Sequence, residues 1–203
     1  MSALSKCLLE EASAIKLAAD KLDTIQVDKA IDLLVSCFEN KSKVIITGVG
    51  KSGIVARKIA ATFSSIGLMS LYLNPLDALH GDLGIVAKND ICLLISNSGN
   101  TQELVNLLPH LSNRDISCIA IVGNINSGLG IKCQVVLEGN VNKEICPLNL
   151  APTASTAVSM AIGDALAVVW MERCGISQAD FAINHPSGAL GKKLTLIVEN
   201  LMI

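Results

Sequence analysis

Three hydroxyls and two amides crowd into six residues at Ser96-Asn97-Ser98-Gly99-Asn100-Thr101. An apolar run, Asp90-Ile91-Cys92-Leu93-Leu94-Ile95, precedes them and has the composition of a buried strand. The residues that follow, Gln102 to Leu108, carry apolar side chains at helical spacing. A strand that turns tightly into a helix leaves the first backbone amides of that helix unpaired and presents the positive end of its dipole. Hydroxyls gathered there make a phosphate cradle that needs neither Lys nor Arg. A plain helix cap would require one hydroxyl.

A second turn has a different chemistry. Gly48-Val49-Gly50-Lys51-Ser52-Gly53 follows the short apolar strand Lys43–Thr47. It matches the dinucleotide pattern G-x-G-x-x-G, but that reading also needs an acid at the end of the next strand. That strand ends in Tyr72-Leu73-Asn74. A phosphate-binding P-loop would need Gly at the position of Ile45. What survives is a turn in which the backbone at Gly50 approaches a ligand while Lys51 and Ser52 project toward it. Two histidines, His80 and His185, lie in Gly/Pro-rich loops, where scaffolds place catalytic groups; His110 reads as a surface residue of a helix. Glu103 falls in the first turn of the helix after the hydroxyl turn. Glu144 lies in a loop before a long apolar helix, where partial burial is expected to raise its pKa toward that of a useful base. No His/Cys/Asp/Glu grouping has metal-ligand spacing.

The elements needed to hold these residues follow from the pattern. Helices are expected at 3–20, 24–39, 54–66, 155–174 and 177–183, and strands at 43–47, 68–73, 90–95, 117–122 and 134–137, with a loop at His80–Gly84. Alternating strands and helices specify an α/β flavodoxin-like, doubly wound five-stranded parallel sheet with helices on both faces. In the order 2-1-3-4-5 a ligand sits where the order reverses, between strands 1 and 3, so the two turns face one ligand. The 203 residues suit one domain: N-terminal helices at 1–40, a sheet-and-helix core at 41–194 and a tail at 195–203. A net charge of −2 with interspersed acids and bases argues against nucleic acid and anionic membrane as partners, and 2% aromatic content offers no stacking surface for bases. The seven cysteines form no Cys-x-x-Cys pair, and no signal peptide is visible, so a reduced cytoplasmic setting is expected. Leu150 to Met171 carries one charge, Asp164, and reads as a helix buried in the core or at a subunit interface rather than a membrane span.

Seven blocks together carry a resemblance: Gly48–Gly53, His80-Gly-Asp-Leu-Gly84, Ile95-Ser-Asn-Ser-Gly99, Lys143-Glu-Ile-Cys-Pro147, Leu150-Ala-Pro-Thr153, Gly163-Asp-Ala-Leu166 and His185-Pro-Ser-Gly-Ala-Leu-Gly191. In order and spacing, over about residues 40–194, they resemble the SIS (sugar isomerase) domain of D-arabinose-5-phosphate isomerases. The resemblance implies interconversion of D-ribulose 5-phosphate and D-arabinose 5-phosphate, supplying 3-deoxy-D-manno-octulosonate for lipopolysaccharide or capsule. It places Lys51, Glu103, Glu144 and His185 on catalytic positions. It places Gly50, Ser52, His80, Ser96, Asn97, Ser98 and Thr101 on substrate-binding positions, with no cofactor and no metal. Asn74 stands where some relatives carry a zinc-binding His. Many relatives continue into a pair of CBS domains, and this sequence reads as the single-domain form. Relatives form dimers of dimers, which implies a homotetramer whose sites are shared between subunits.

Aldose–ketose isomerisation runs by metal-assisted hydride shift or by proton transfer through a cis-enediolate, and the residues present suit the second. Glu144 is the expected base, Lys51 stabilises the enediolate, His185 or His80 moves protons, and Glu103 orients Lys51 or the substrate. Two rival readings stand beside this: a non-catalytic phosphosugar sensor, which would need only the cradle, and an isomerase of a different phosphosugar.

Overall fold

A computed structural model of the chain describes residues 1–186. The expected tail, the last residues of the 41–194 core and Ser187–Gly191 of the His185 block lie outside the described residues. The elements run α1 (Ala3–Lys21), α2 (Thr24–Glu39), β1 (Val44–Gly48), α3 (Gly50–Ser65), β2 (Ser70–Tyr72), α4 (Pro75–Ala78), a 3-10 turn (Asp82–Ile85), β3 (Ile91–Ser96), α5 (Gln102–Ser112), β4 (Ser117–Val122), α6 (Gly128–Lys132), β5 (Val135–Glu138), α7 (Ala154–Cys174) and α8 (Gln178–Ile183).

The strands form one all-parallel sheet in the order β2-β1-β3-β4-β5. β1 and β3 are buried at every position, as central parallel strands covered on both faces must be. Alternate residues of each strand feed two cores. Val44, Ile46, Leu93 and Ile95 pack with α2, α3 and α7, where Trp170 and Phe63 are fully buried. Ile45, Cys92, Leu94 and Cys118 face α4 and α5, which contribute Ala78, Leu104 and Leu107. Burial pushes the Cys118 thiol up to about 12 and raises that of Cys92, so both behave as small apolar groups.

Several boundaries differ from the sequence expectation. α3 begins at Gly50, so Lys51 and Ser52 lie in its first turn rather than in a free loop. Asn74-Pro75 does not only break β2: the Asn74 side chain accepts the Leu76 amide and Pro75 opens α4. His80–Gly84 is partly a 3-10 turn, and α6, five residues long, was too short to show a period.

α7 is the one helix among the described residues long and apolar enough to cross a membrane by length and composition. Its buried side, Val158, Ile162, Leu166 and Trp170, packs against α1, α2 and α3. Asp164 finds its partner in Lys58 of α3, and both side chains are about half exposed. At Gly163 the Ile59 side chain of α3 lies against the backbone of α7, where a Cβ would clash with it. α1 buries only Ala18; Leu4, Leu8 and Leu9 of its apolar stripe stay exposed.

Candidate active site

Parallel strands end on the same edge, so the loops after all five strands gather above the C-terminal edge of the sheet. β1 and β3 are neighbours there, with Gly48 opposite Ile95. The Lys51 turn and the hydroxyl turn therefore leave adjacent strands, one toward each face.

The hydroxyl turn is rigidly built. Buried Ser96 accepts the Gly99 amide at 3.0 Å and shares a hydrogen bond with Thr101 at 2.8 Å, while Ser98 Oγ accepts the Asn100 amide at 3.2 Å. Thr101 occupies the N-cap position of α5 yet its side chain bonds none of the helix amides. Among the described residues nothing accepts from the amides of Gln102 and Glu103. The hydroxyls are thus spent on shaping the turn, and the positive end of α5 is left open for an anion.

This turn is also latched to the β4–α6 loop, which sequence reasoning missed. Asn97 O accepts the Gly123 amide at 2.9 Å, Gly99 O the Leu129 amide at 2.9 Å, and Asn100 Oδ1 the Gly128 amide at 2.7 Å. Gly99 has φ +67, and a Cβ there would stand 1.9 Å from Ser127 Oγ, so only glycine fits. The signal was present as a second Gly-rich stretch, Gly123 to Gly130, but its pairing with the first is long-range.

Glu144 sits in the loop after β5, at the head of α7. Its Oε2 accepts the Thr153 amide at 2.8 Å, the Thr153 hydroxyl at 3.0 Å and the Ser155 amide at 3.2 Å. Its Oε1 accepts the Ser155 hydroxyl. Thr153 is the N-cap position of α7 but makes no cap bond of its own, so Glu144 serves as the cap. Burial pushes this carboxyl upward, but the four donors outweigh it and hold the pKa below the ordinary carboxylate value. The expected upward shift is therefore wrong in sign: donors to the charged form win over partial burial.

Lys51 is exposed in the first turn of α3 and Ser52 is half-buried beside it. Glu103 is half-buried in the first turn of α5. His80 follows α4, its amide bonded to Asp77 O at 2.9 Å. Its neighbours Leu79 and Gly81 line an open cleft of about 990 Å³ that extends along α5 from Gln102 to His110. Lys51, Ser52, His80, Ser96–Thr101, Glu103 and Glu144 all belong to the C-terminal edge. His185 does not. Its Nδ1 bonds Phe181 O at 2.8 Å and its ring stacks on Phe181 at 3.9 Å. Adjacent Asn184 donates to Ser65 O, at the far end of α3. From Lys51 to Ser65 the helix rises about 21 Å, so within one chain His185 stands at the opposite edge of the sheet. His110 is exposed in the last turn of α5, as expected of a surface residue. Among the described residues no group of three or more His, Cys, Asp or Glu side chains could hold a metal ion.

Comparison with known proteins places this geometry. The arabinose 5-phosphate isomerase KdsD of Francisella tularensis is 47% identical over 175 residues, 86% of this chain and 54% of that protein. The KdsD of Pseudomonas aeruginosa is 44% identical over 191 residues, 93% of this chain and 59% of that protein. The chain thus spans little more than half the length of these curated relatives. Among solved structures, an Escherichia coli CFT073 protein in complex with arabinose 5-phosphate superimposes with a TM-score of 0.84 at 39% identity, covering 90% of this chain and 95% of that one. The SIS domain model matches residues 38–169, a stretch that runs from the end of α2 through the sheet and both turns into α7, and the chain belongs to the SIS domain family.

Proposed function

We propose that this chain is an aldose–ketose isomerase that interconverts D-ribulose 5-phosphate and D-arabinose 5-phosphate. The observation that carries the reading is the uncapped start of α5 beneath Ser96, Ser98 and Thr101, in a chain 47% identical to an arabinose 5-phosphate isomerase. The phosphate is held by the amides of α5 and by the hydroxyl turn, with Gly50, Ser52 and Asn97 completing the cradle. Lys51, exposed on the neighbouring strand's turn, stabilises the negative charge that develops on the enediolate oxygens. The proton beside the carbonyl is taken by a carboxylate. Glu144 is ionised at neutral pH but held by four donors, and would have to exchange one of them for the substrate proton. Glu103, in the first turn of α5, is the other carboxylate near the cradle.

The position of His185 supports a shared site. A side chain held at the far end of α3 reaches a phosphosugar only if that sugar belongs to another subunit. Exposed Leu4, Leu8 and Leu9 of α1 and Val168 of α7 supply apolar surface for such an assembly. The assembly we propose is the homotetramer that the resemblance implies, and the reduced cysteines fit a cytoplasmic setting for it. Its product would feed formation of 3-deoxy-D-manno-octulosonate for lipopolysaccharide or capsule.

A coupled assay of the purified chain on ribulose 5-phosphate, beside six-carbon ketose phosphates, tests the reading. Turnover confined to the five-carbon substrate is expected. Preference for a six-carbon sugar would move the substrate, and binding without turnover of any would leave a phosphosugar sensor.

A further inference from the structure

The turn that carries Lys51 depends on a side chain from the neighbouring edge strand. In the β1–β2 ladder Ile46 lies opposite Tyr72, and Ile46 O accepts the Leu73 amide at 2.9 Å. Parallel ladders repeat every two residues, so the next rung would run from the amide of residue 75 to Gly48 O. Residue 75 is proline, which has no N–H to give. Gly48 O is instead taken by the Tyr72 hydroxyl, which donates to it at 3.0 Å.

The substitution of a side chain for a rung is tightly framed. A Cβ at Gly53, in the first turn of α3, would stand 2.7 Å from Gly48 O and 3.1 Å from the Tyr72 hydroxyl. Strand end, hydroxyl and helix start are thus in mutual contact, leaving room only for glycine. From the other side the Arg57 guanidinium of α3 lies over the Tyr72 ring, 3.9 Å from its centroid. α3 therefore holds the ring, and the ring's hydroxyl holds the carbonyl from which α3 departs.

We propose that Tyr72 is a positioning residue for the reaction: by standing in for the rung that Pro75 cannot make, it fixes where Lys51 is presented to the enediolate. The inference rests on the isomerase reading above. It goes beyond it in assigning a role to a residue that touches no substrate group. The main part of the phosphate cradle, the amides of α5 and the Ser96–Thr101 turn, is built on β3 and α5 and latched to the β4–α6 loop. Of the cradle, only Gly50 and Ser52 rest on the turn that Tyr72 holds. Loss of the hydroxyl should consequently disturb turnover and spare substrate capture.

The experiment compares wild type, Tyr72→Phe, Pro75→Ala and the double variant on ribulose 5-phosphate, with hydrogen exchange followed by mass spectrometry. Tyr72→Phe keeps the ring and its Arg57 contact and removes one hydroxyl. Its kcat should fall about tenfold, within the range that misplacement of a catalytic group produces, while KM stays within about twofold. Faster exchange should be confined to peptides covering Gly48–Gly53. Pro75→Ala alone should be near neutral, and in the Tyr72→Phe background it restores an amide at the missing rung and should recover most of the lost kcat. The proposal fails if Tyr72→Phe keeps full kcat, if the loss lies in KM, if exchange rises throughout the chain, or if Pro75→Ala restores nothing. An inactive wild type would refute the isomerase reading itself, and the proposal with it.

Discussion

Replacing Glu144 by Gln separates its two duties, capping α7 and accepting a proton. The carboxylate takes four donors: two amides and two hydroxyls from Thr153 and Ser155. A Gln can keep its carbonyl oxygen in the three-donor Oε2 position and turn its amide toward Ser155, whose hydroxyl rotates to accept. What is lost is charge. Hydrogen bonds to an ionised group contribute about 1.5–3 kcal/mol against about 1 for neutral pairs, and a charge at a helix N-terminus adds about 0.3–1. Discounted for partial solvent exposure, the total is about 2 kcal/mol, or about 4–8 °C in Tm for a domain of this size. The pH signature follows from the sign of the shift. The native pKa lies below the ordinary value of 4.5, so the stabilisation is complete above that value and drains away as the pH falls below it through the native pKa. The Tm gap between wild type and variant, measured by calorimetry, should be constant from pH 6 to 8 and close on acidification. Assayed well below its Tm, the variant should lose about 10²–10⁴ in kcat if Glu144 is the base, with phosphosugar binding nearly intact. A variant with wild-type Tm at pH 7 would refute the capping argument. A Tm deficit with near-normal kcat would leave Glu144 as a cap and move the base to Glu103.

Gly99→Ala should cost more than about 2 kcal/mol and abolish phosphosugar binding, because the new methyl meets Ser127 Oγ at a positive φ; calorimetry and titration with arabinose 5-phosphate check it, and a stable variant that binds would refute the latch. Activity should survive exhaustive chelation with EDTA, since proton transfer through an enediolate can run on these side chains; loss reversed by added divalent metal would favour a hydride shift. Mixing inactive Lys51→Ala and His185→Ala subunits, with exchange verified, should return substantial activity if these residues serve one site from two chains. No recovery would refute sharing through His185.

The sheet was legible because its signal is local. Buried parallel strands such as Ile91–Ser96 read as continuous apolar runs, and the periodic helices between β1 and β2 and between β3 and β4 leave few topologies. The short pieces were not. α4 and α6 comprise four and five residues, less than two turns, so no period could emerge; they are fixed by caps and by packing on α5. α1 shows the opposite failure. Its apolar spacing predicted a helix correctly, yet the same Leu4 and Leu8 that define the stripe are exposed in the chain, because amphipathicity says that a face wants cover without saying whose.

The site divides along the same line. Ser96–Thr101 and Lys51 were found from residue type and position at a strand end, features that a sequence displays directly. The state of Glu144 was not, because a loop carboxylate ahead of an apolar helix signals burial while its donors remain silent. Thr153 and Ser155 lie nine and eleven residues on, and nothing in their spacing says that both turn back to one carboxylate. Tyr72 was invisible for the same reason: its role exists only because Pro75 falls in register with Gly48 across the sheet, a coincidence of pairing. Residues that hold a ligand announce themselves by chemistry; those that hold the holders are defined by register, and register appears only when the strands are laid side by side.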